Sequence, residues 1–418
     1  MTNNHQYKVY DTTTPLEHFR PNGFYIVGEH AFNYKINALE YATKTNLPVT
    51  WEFNTEVYRS LDWRQPPEIK LKDIYRMRAQ QLRDKYDYLV LAFSGGADST
   101  TILHTFLENN IKIDEIICEW PNNLIKDSPE NSITPDPENY IYEWHLRIQP
   151  VLQYLASHHP EIKITKLDGS ERMGIEDFED TCSIVNHCAF ISIKRYRAIE
   201  NYLQHISRTH HNVGLMIGTD KLRTVIDRRV LSIVFTDVNC WWKSSITDYV
   251  KTIEYFFWTP DLPEIVKIQA HEIYKYLQQH PEQTWIFDFK TAPNREMYPV
   301  EFRIYQRYQV NLIKKIIYPD WDLSIFQADK PESLINNKQY DSLSIDKYGR
   351  EYQSWRSNIE NRFKSLDKKY VNVFQGKYFE FDGYKPFFSR LYPIGVLKNC
   401  HDDTDASSLF SMDKLPYI

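Results

Sequence analysis

The chain has 418 residues, a formal net charge of -6 and a sequence pI near 6.2, with 42% hydrophobic and 25% charged residues. That balance is the one expected of a soluble globular protein, and its negative sign gives no global drive toward nucleic acid or an anionic membrane. Five cysteines in so long a chain exclude a disulfide framework and fit a reducing cytosol, and no apolar run is long enough to span a bilayer.

Met1 to about Gln80 reads as an N-terminal α+β extension. Its start, MTNNHQYKVYDTTTPLEHF, has no charged segment followed by an apolar one, so a secretory signal is not expected and the location reads as cytoplasmic. Gly23 to Gly28 (GFYIVG) reads as a strand, Asn33 to Lys44 as a helix and Thr50 to Phe53 as a second strand. Pro66-Pro67 marks a boundary before a helix over Leu71 to Arg83. Tyr88 to Phe93 is a continuous apolar run, as in a strand buried on both faces. Ser94-Gly95-Gly96-Ala97-Asp98-Ser99 follows, then a helix over Ser99 to Leu107 with Ile102, Leu103, Phe106 and Leu107 on one side.

Further strands are expected over Asp114 to Trp120, Ile162 to Leu167 and Val213 to Ile217. Helices are expected between them, over Tyr140 to His158 and Ala189 to Ile206. This alternation predicts an α/β fold with a doubly wound, mostly parallel sheet. Beyond Val230 the pattern turns helical, with Ile246 to Trp258, Glu264 to Gln279 and Phe302 to Ile317 as candidates and a break at Thr259 to Pro263. The last stretch mixes a charged helix, Tyr352 to Leu366, with short aromatic strands around Gly376 and Gly383. The domains expected are 1–80, a nucleotide domain 81–245, a helical substrate region 246–330 and a mixed C-terminal region 331–418.

Two glycines in the SGGADS turn allow a sharp bend that exposes backbone N–H groups, and the following helix aims its positive end at the turn. Ser94, Ser99 and Thr100 add hydroxyl donors. Such a turn suits phosphate or pyrophosphate. Asp98 would repel that anion unless it caps the helix or a Mg²⁺ lies between them. The neutral alternative, a glycine turn in an ordinary strand–loop–helix unit, leaves two serines and an aspartate in register by accident. Neither GxxxxGK[ST] nor a strand-linked GxGxxG occurs.

In this context SGGADS resembles the SGGxDS signature of the PP-loop, or N-type, ATP pyrophosphatases. These adenine nucleotide α-hydrolase-like proteins include the synthetase domain of asparagine synthetase, the nearest in kind. The resemblance covers roughly Lys85 to Arg223. It implies a Rossmann-like, HUP-type fold with ATP and Mg²⁺ as cofactors. Ser94, Gly95, Gly96, Ala97, Asp98, Ser99 and Thr100 would hold pyrophosphate, with Asp98 on the metal. The resemblance also implies attack on the α-phosphate by a carboxylate or carbonyl oxygen, followed by displacement of AMP by ammonia or an amine. The glutaminase of glutamine-using asparagine synthetases starts with a cysteine. Here position 2 is Thr2 and the first cysteine is Cys118, so that domain is not expected.

Gly218-Thr219-Asp220-Lys221 ends the fourth parallel strand. Lys221 is the candidate to neutralise the leaving phosphates, with Asp220 and Arg223 beside it. The family's longer GxGxDE pattern is not matched, and a helix-capping Asp220 followed by solvated basic residues is an equal alternative. Glu119, at a strand end, faces the nucleotide, the substrate or merely solvent. Glu176, Asp177 and Asp180 read as an exposed acidic loop before a metal site. Cys182 and Cys188 around His187 read as structural thiols, since their spacing is wider than CxxC. Lys194, Arg195, Arg197 and the run Arg223, Arg228 and Arg229 read as charged surface before a polynucleotide contact. The favoured substrate is therefore a small molecule. The main reading is an AMP-forming ligase or amidotransferase. The alternatives are sulfur transfer of the thiolation or phosphoadenylylsulfate-reductase kind, or a non-catalytic nucleotide-binding module.

Overall fold

The computed structural model describes residues 7–11, 16, 22–120, 144–168, 193–218, 222–237, 253–287, 312–318, 365–370 and 387–398, with isolated positions between 354 and 364. The N-terminal strands β1 (Lys8–Val9), β2 (Phe24–Val27), β3 (His30–Phe32) and β4 (Val49–Glu52) form a sheet of order β1-β3-β2-β4. Helix α1 (Lys35–Thr45) presents Ile36, Ala38, Leu39 and Ala42 to the core at helical spacing, and Asn46 ends it in the left-handed conformation. After the short α2 (Thr55–Ser60), α3 (Leu71–Lys85) buries Ile74, Tyr75, Ala79 and Leu82 and leads directly into the main sheet.

That sheet joins β5 (Tyr88–Ala92), β6 (Glu115–Trp120), β7 (Lys163–Asp168), β8 (Val213–Ile217) and β11 (Ile253–Tyr255) in the order β11-β8-β5-β6-β7. Every pairing in it is parallel. Its crossovers carry α4 (Ala97–Glu108), α5 (Gln149–His158) and α6 (Ile193–Ile206). Successive side chains of β5 point to opposite faces. Leu89 and Leu91 pack with α3, α4 and α5, whereas Val90 joins Ile199, Leu203 and Ile206 of α6. Burying a side chain of that size stabilises the fold by roughly 1.5–3 kcal/mol. Both faces are thus covered, as the unbroken apolar runs of β5 and β8 require.

Two expectations change beyond β8. The chain forms an antiparallel hairpin of β9 (Arg223–Asp227) and β10 (Val230–Val234), extended by β12 (Tyr392–Val396). Its tip, Arg228-Arg229, takes positive φ at both residues, the geometry that a two-residue turn between twisted strands demands. Of the helix expected over Ile246 to Trp258, the described part is instead the edge strand β11, followed by buried Phe256, Phe257 and Trp258, and residues 246–252 lie outside the described residues. A short run buried on all sides has no helical stripe, and β-branched and aromatic residues favour the strand. The break at Thr259 to Pro263 then leads into α7 (Glu264–Gln279). Upstream, the described part of the helix expected over Tyr140 to His158 begins with a π-helical turn, Trp144–Ile148, before α5. Pro150 has no N–H to continue the regular ladder there. Residues 312–317 are helical, as are the described positions between 354 and 364. The expected strands near Gly376 and Gly383 lie outside the described residues.

Charged pairs fasten the layers. Lys35 Nζ lies 2.6 Å from Asp237 Oδ2, both nearly inaccessible, and Asp237 also accepts from Tyr25 Oη at 2.8 Å and from the Phe387 amide at 2.9 Å. Under the main sheet, Glu254 of β11 meets Arg78 Nη2 at 2.8 Å, Lys85 Nζ at 2.6 Å and Tyr86 Oη at 2.6 Å. Burial alone would raise the Glu254 pKa, but Arg78, Lys85 and Tyr86 together hold it below the usual carboxylate range. The stability this carboxylate contributes is complete above its unfolded pKa of about 4.3 and is lost as pH falls through the depressed folded value. Glu254→Gln should cost about 3 kcal/mol at neutral pH by removing the close carboxylate partner of the buried Arg78. Urea unfolding should also show a weaker loss of stability between about pH 5 and pH 3 in the variant than in the parent protein. Equal pH slopes would show that Glu254 is not the group responsible.

Candidate functional site

The strand order reverses between β5 and β8. From β5 the chain moves outward through β6 to β7, then returns to the other side of β5 for β8 and β11. The crossovers leaving β5 and β8 therefore diverge, and a crevice opens beyond the carboxyl ends of these two strands. Ser94 to Gly96 follows β5 there, and Gly218 follows β8.

The loop carries a set of long internal hydrogen bonds and is anchored to the strand before it. Phe93 N donates to Ile117 O at 2.8 Å, carrying the sheet pairing one residue past β5. The Ser94 amide donates to Ser99 Oγ at 3.3 Å, the two hydroxyls lie 3.4 Å apart, and Ser99 Oγ donates to Gly96 O at 3.2 Å. Gly95 has φ +69°, and a Cβ there would come within 2.9 Å of Arg147 Cβ. Both conditions restrict the position to glycine. Gly96 is the N-cap residue of α4, extended at φ -82° and ψ 164°, and no side chain caps the helix. The first N–H bond of the regular ladder is Thr100 N to Gly96 O at 3.0 Å. The amides of the first turn thus converge on the crevice with the positive end of the helix behind them.

Gly218 closes the other wall. A Cβ on it would lie 2.9 Å from both Asp98 Cβ and Ser99 N, so β8 runs directly against the first turn of α4. Ala97, Ser99 and Thr100 are buried beneath the loop. Asp98 accepts a hydrogen bond on Oδ1 from the Tyr318 hydroxyl, far along the chain. The backbone of Tyr318 is held in turn, because Tyr75 Oη donates to Ile317 O at 2.9 Å and Gln269 Nε2 donates to Tyr75 Oη at 2.8 Å. Burial pushes the Tyr75 phenol far above its ordinary range, so it stays protonated and remains a donor.

The expected residues separate into groups. Ser94, Gly95, Gly96, Ala97, Asp98, Ser99 and Thr100 come together as one loop and helix start. Glu119 lies on β6 at its carboxyl end, paired in the backbone with Leu167 of β7, one strand away from the crevice. Asp220 and Lys221 lie outside the described residues, as do Glu176, Asp177, Asp180, Cys182, His187 and Cys188. Arg223 opens β9. Lys194, Arg195 and Arg197 belong to α6. Cys118 is buried in the core, on the strand beside β5. Arg147 and Tyr318 complete the surroundings of the loop, and neither carries a sequence signal. Arg147 is one basic residue in a helical run, and Tyr318 is one of 30 tyrosines.

The loop fits a polyphosphate with a divalent cation. Its hydroxyls and first-turn amides are donors, and Asp98 is the single carboxylate among them. Among the described residues no group of three or more His, Cys, Asp or Glu side chains is placed to hold a metal. A Mg²⁺ here would rest on Asp98 and on the phosphates themselves, the usual arrangement for that ion in nucleotide sites. No helix among the described residues is long and apolar enough to cross a membrane.

No family model matches the chain, and no curated protein matches it. Among solved structures, U34-tRNA thiolase NcsA from Methanococcus maripaludis, determined with its 4Fe-4S cluster, aligns at 11% identity over 69% of this chain and 80% of that one, with a TM-score of 0.23. A TM-score so low does not establish a common fold.

The wall between Gly218 and α4 leaves no space for a methyl group. Gly218→Ala should cost about 1–3 kcal/mol through overpacking. Faster amide hydrogen exchange in the first turn of α4 should localise the damage. A melting temperature and exchange pattern equal to the parent protein would contradict this close approach.

Proposed function

We propose that the chain is an ATP pyrophosphatase of the PP-loop kind, which splits ATP into AMP and pyrophosphate by adenylating an oxygen of a small carboxylate or carbonyl substrate. The observation that carries the proposal is the position of SGGADS. A glycine turn with an uncapped helix start stands at the reversal point of an all-parallel sheet, where α/β folds of this order bind nucleotides.

In this reading the first-turn amides of α4 and the hydroxyls of Ser94, Ser99 and Thr100 bind the β- and γ-phosphates. Gly95 and Gly96 let the backbone approach them. Asp98 holds Mg²⁺, which supplies charge neutralisation on the leaving pyrophosphate when bound. Donors fixed in advance on a rigid strand and helix stabilise charge that develops as the α–β bridge breaks. The substrate oxygen attacks the α-phosphorus, the bond to the bridging oxygen breaks, and pyrophosphate leaves with that electron pair. An ammonia or amine nitrogen then displaces AMP from the activated carbon. Lys221, Asp220, Glu119 and Arg223 are proposed to line the nucleotide and substrate sides of the crevice, with Lys221 neutralising the leaving phosphates. Sulfur in place of nitrogen as the second nucleophile is the alternative within the same first step.

Ser94→Ala and Asp98→Ala test the site. Each should lower pyrophosphate release from ATP, Mg²⁺ and a metabolite extract by at least about 100-fold, the scale of losing one fixed donor to a developing charge. Their melting temperatures should stay within a few degrees of the parent protein. Retained release in both variants would refute the assignment. Mass analysis of the extract then identifies the product, an amide for nitrogen or a thio-compound for sulfur.

A further inference from the structure

Tyr318 stands 220 positions from Asp98 in sequence, yet its hydroxyl donates to Asp98 Oδ1. The contact is built from several directions. Ile313 and Ile317 are buried in the main core, so residues 312–317 are anchored by apolar packing. Tyr75 of α3 holds the Ile317 carbonyl, and Gln269 of α7 holds Tyr75. The Tyr318 ring lies 5.6 Å from that of Phe257, just past β11. Four separate parts of the chain thereby fix one phenol above the first turn of α4.

A carboxylate at this place has two easy alternatives. It can rotate freely about its last torsion, or turn back to the amides of its own helix. Either would leave it misdirected for a cation lying on bound phosphates. A phenol donating to one oxygen selects one carboxylate plane, and an ionised carboxylate keeps acceptor capacity beyond that bond. Outer groups that orient a metal ligand in this way typically carry 10–100-fold in metal affinity.

We propose that Tyr318 is a positioning residue of the nucleotide site, whose hydroxyl sets the Asp98 carboxylate for a divalent cation on the phosphates of ATP. The inference rests on the nucleotide reading above and extends the site to residues 312–318. It also gives the Tyr75–Gln269 pair a purpose, since that pair fixes the backbone from which Tyr318 projects.

Titration calorimetry of the full chain with ATP in Mg²⁺, and with ATP in EDTA, tests this without any turnover. Tyr318→Phe keeps the ring against Phe257 and removes only the hydroxyl. Affinity for ATP in Mg²⁺ should fall about tenfold or more, and affinity in EDTA should not change. In an Asp98→Asn background the same substitution should add no further loss, because the two residues act as one unit. Tyr75→Phe, which frees the Ile317 carbonyl and leaves Tyr318 intact, should weaken Mg²⁺-dependent binding in the same direction by a smaller factor. It serves as the deciding variant should Tyr318→Phe fail to melt cooperatively. A parent protein that binds ATP in neither condition overturns the nucleotide reading. A parent protein that binds, with Tyr318→Phe equal to it or tighter in Mg²⁺, overturns only the role of Tyr318. Equal losses in Mg²⁺ and EDTA overturn it too, because the phenol would then support the loop and not the metal ligand.

Discussion

The close approach of Gly218 to the first turn of α4 is the constraint on which the candidate site depends. It joins the carboxyl ends of the two strands between which the sheet changes direction. A larger residue there would lift the helix start from the sheet, and the amides of Ala97 to Ser99 would no longer face a shared crevice. The loop's internal bonds, all at 3.2–3.4 Å, are too long to impose that geometry alone. The rigidity comes from the strands below and the buried helix behind.

Around this centre the charged groups divide by task. Glu254 with Arg78, and Lys35 with Asp237, are buried or nearly so and satisfied by several partners. Their effect is to fasten α3 to the edge strand β11, and α1 to the segment after β10. Breaking either leaves a charge without compensation, so each acts as a fixed joint more than as a source of net stability. Asp98 differs. It lies half-buried at the start of α4, beside donors that favour anions, and it accepts from the neutral phenol of Tyr318.

Much of the fold was legible because its signals are local. Tyr88 to Phe93 is apolar at every position except its tyrosine, and only a strand covered on both sides buries such a run. Glu264 to Gln279 was legible for the opposite reason, an apolar stripe at helical spacing. Ile253 to Trp258 misled because a run buried all round has no period to read, and its identity as a fifth parallel strand is set by pairing with Leu215 to Ile217. The hairpin of β9 and β10 was hidden by its turn. Asn-Gly announces a two-residue turn, whereas Arg228-Arg229 adopts the same backbone under tertiary pressure, with Arg229 bonded to the carbonyls of Leu397 and Lys398.

The amino-acid order alone determined that residues 94–99 form a phosphate-suited turn between a buried strand and an amphipathic helix. Glycine placement, hydroxyl spacing and apolar periodicity all act within a few residues, and a reader of sequence sees them directly. Only the tertiary structure decided that Gly218 after β8 lies against Asp98 and Ser99, that Arg147 packs on the loop at Gly95 and that Tyr318 grips Asp98. Those contacts join positions up to 220 residues apart. They follow from the strand order and from how helices share the two faces of the sheet, and no local pattern of residues encodes either.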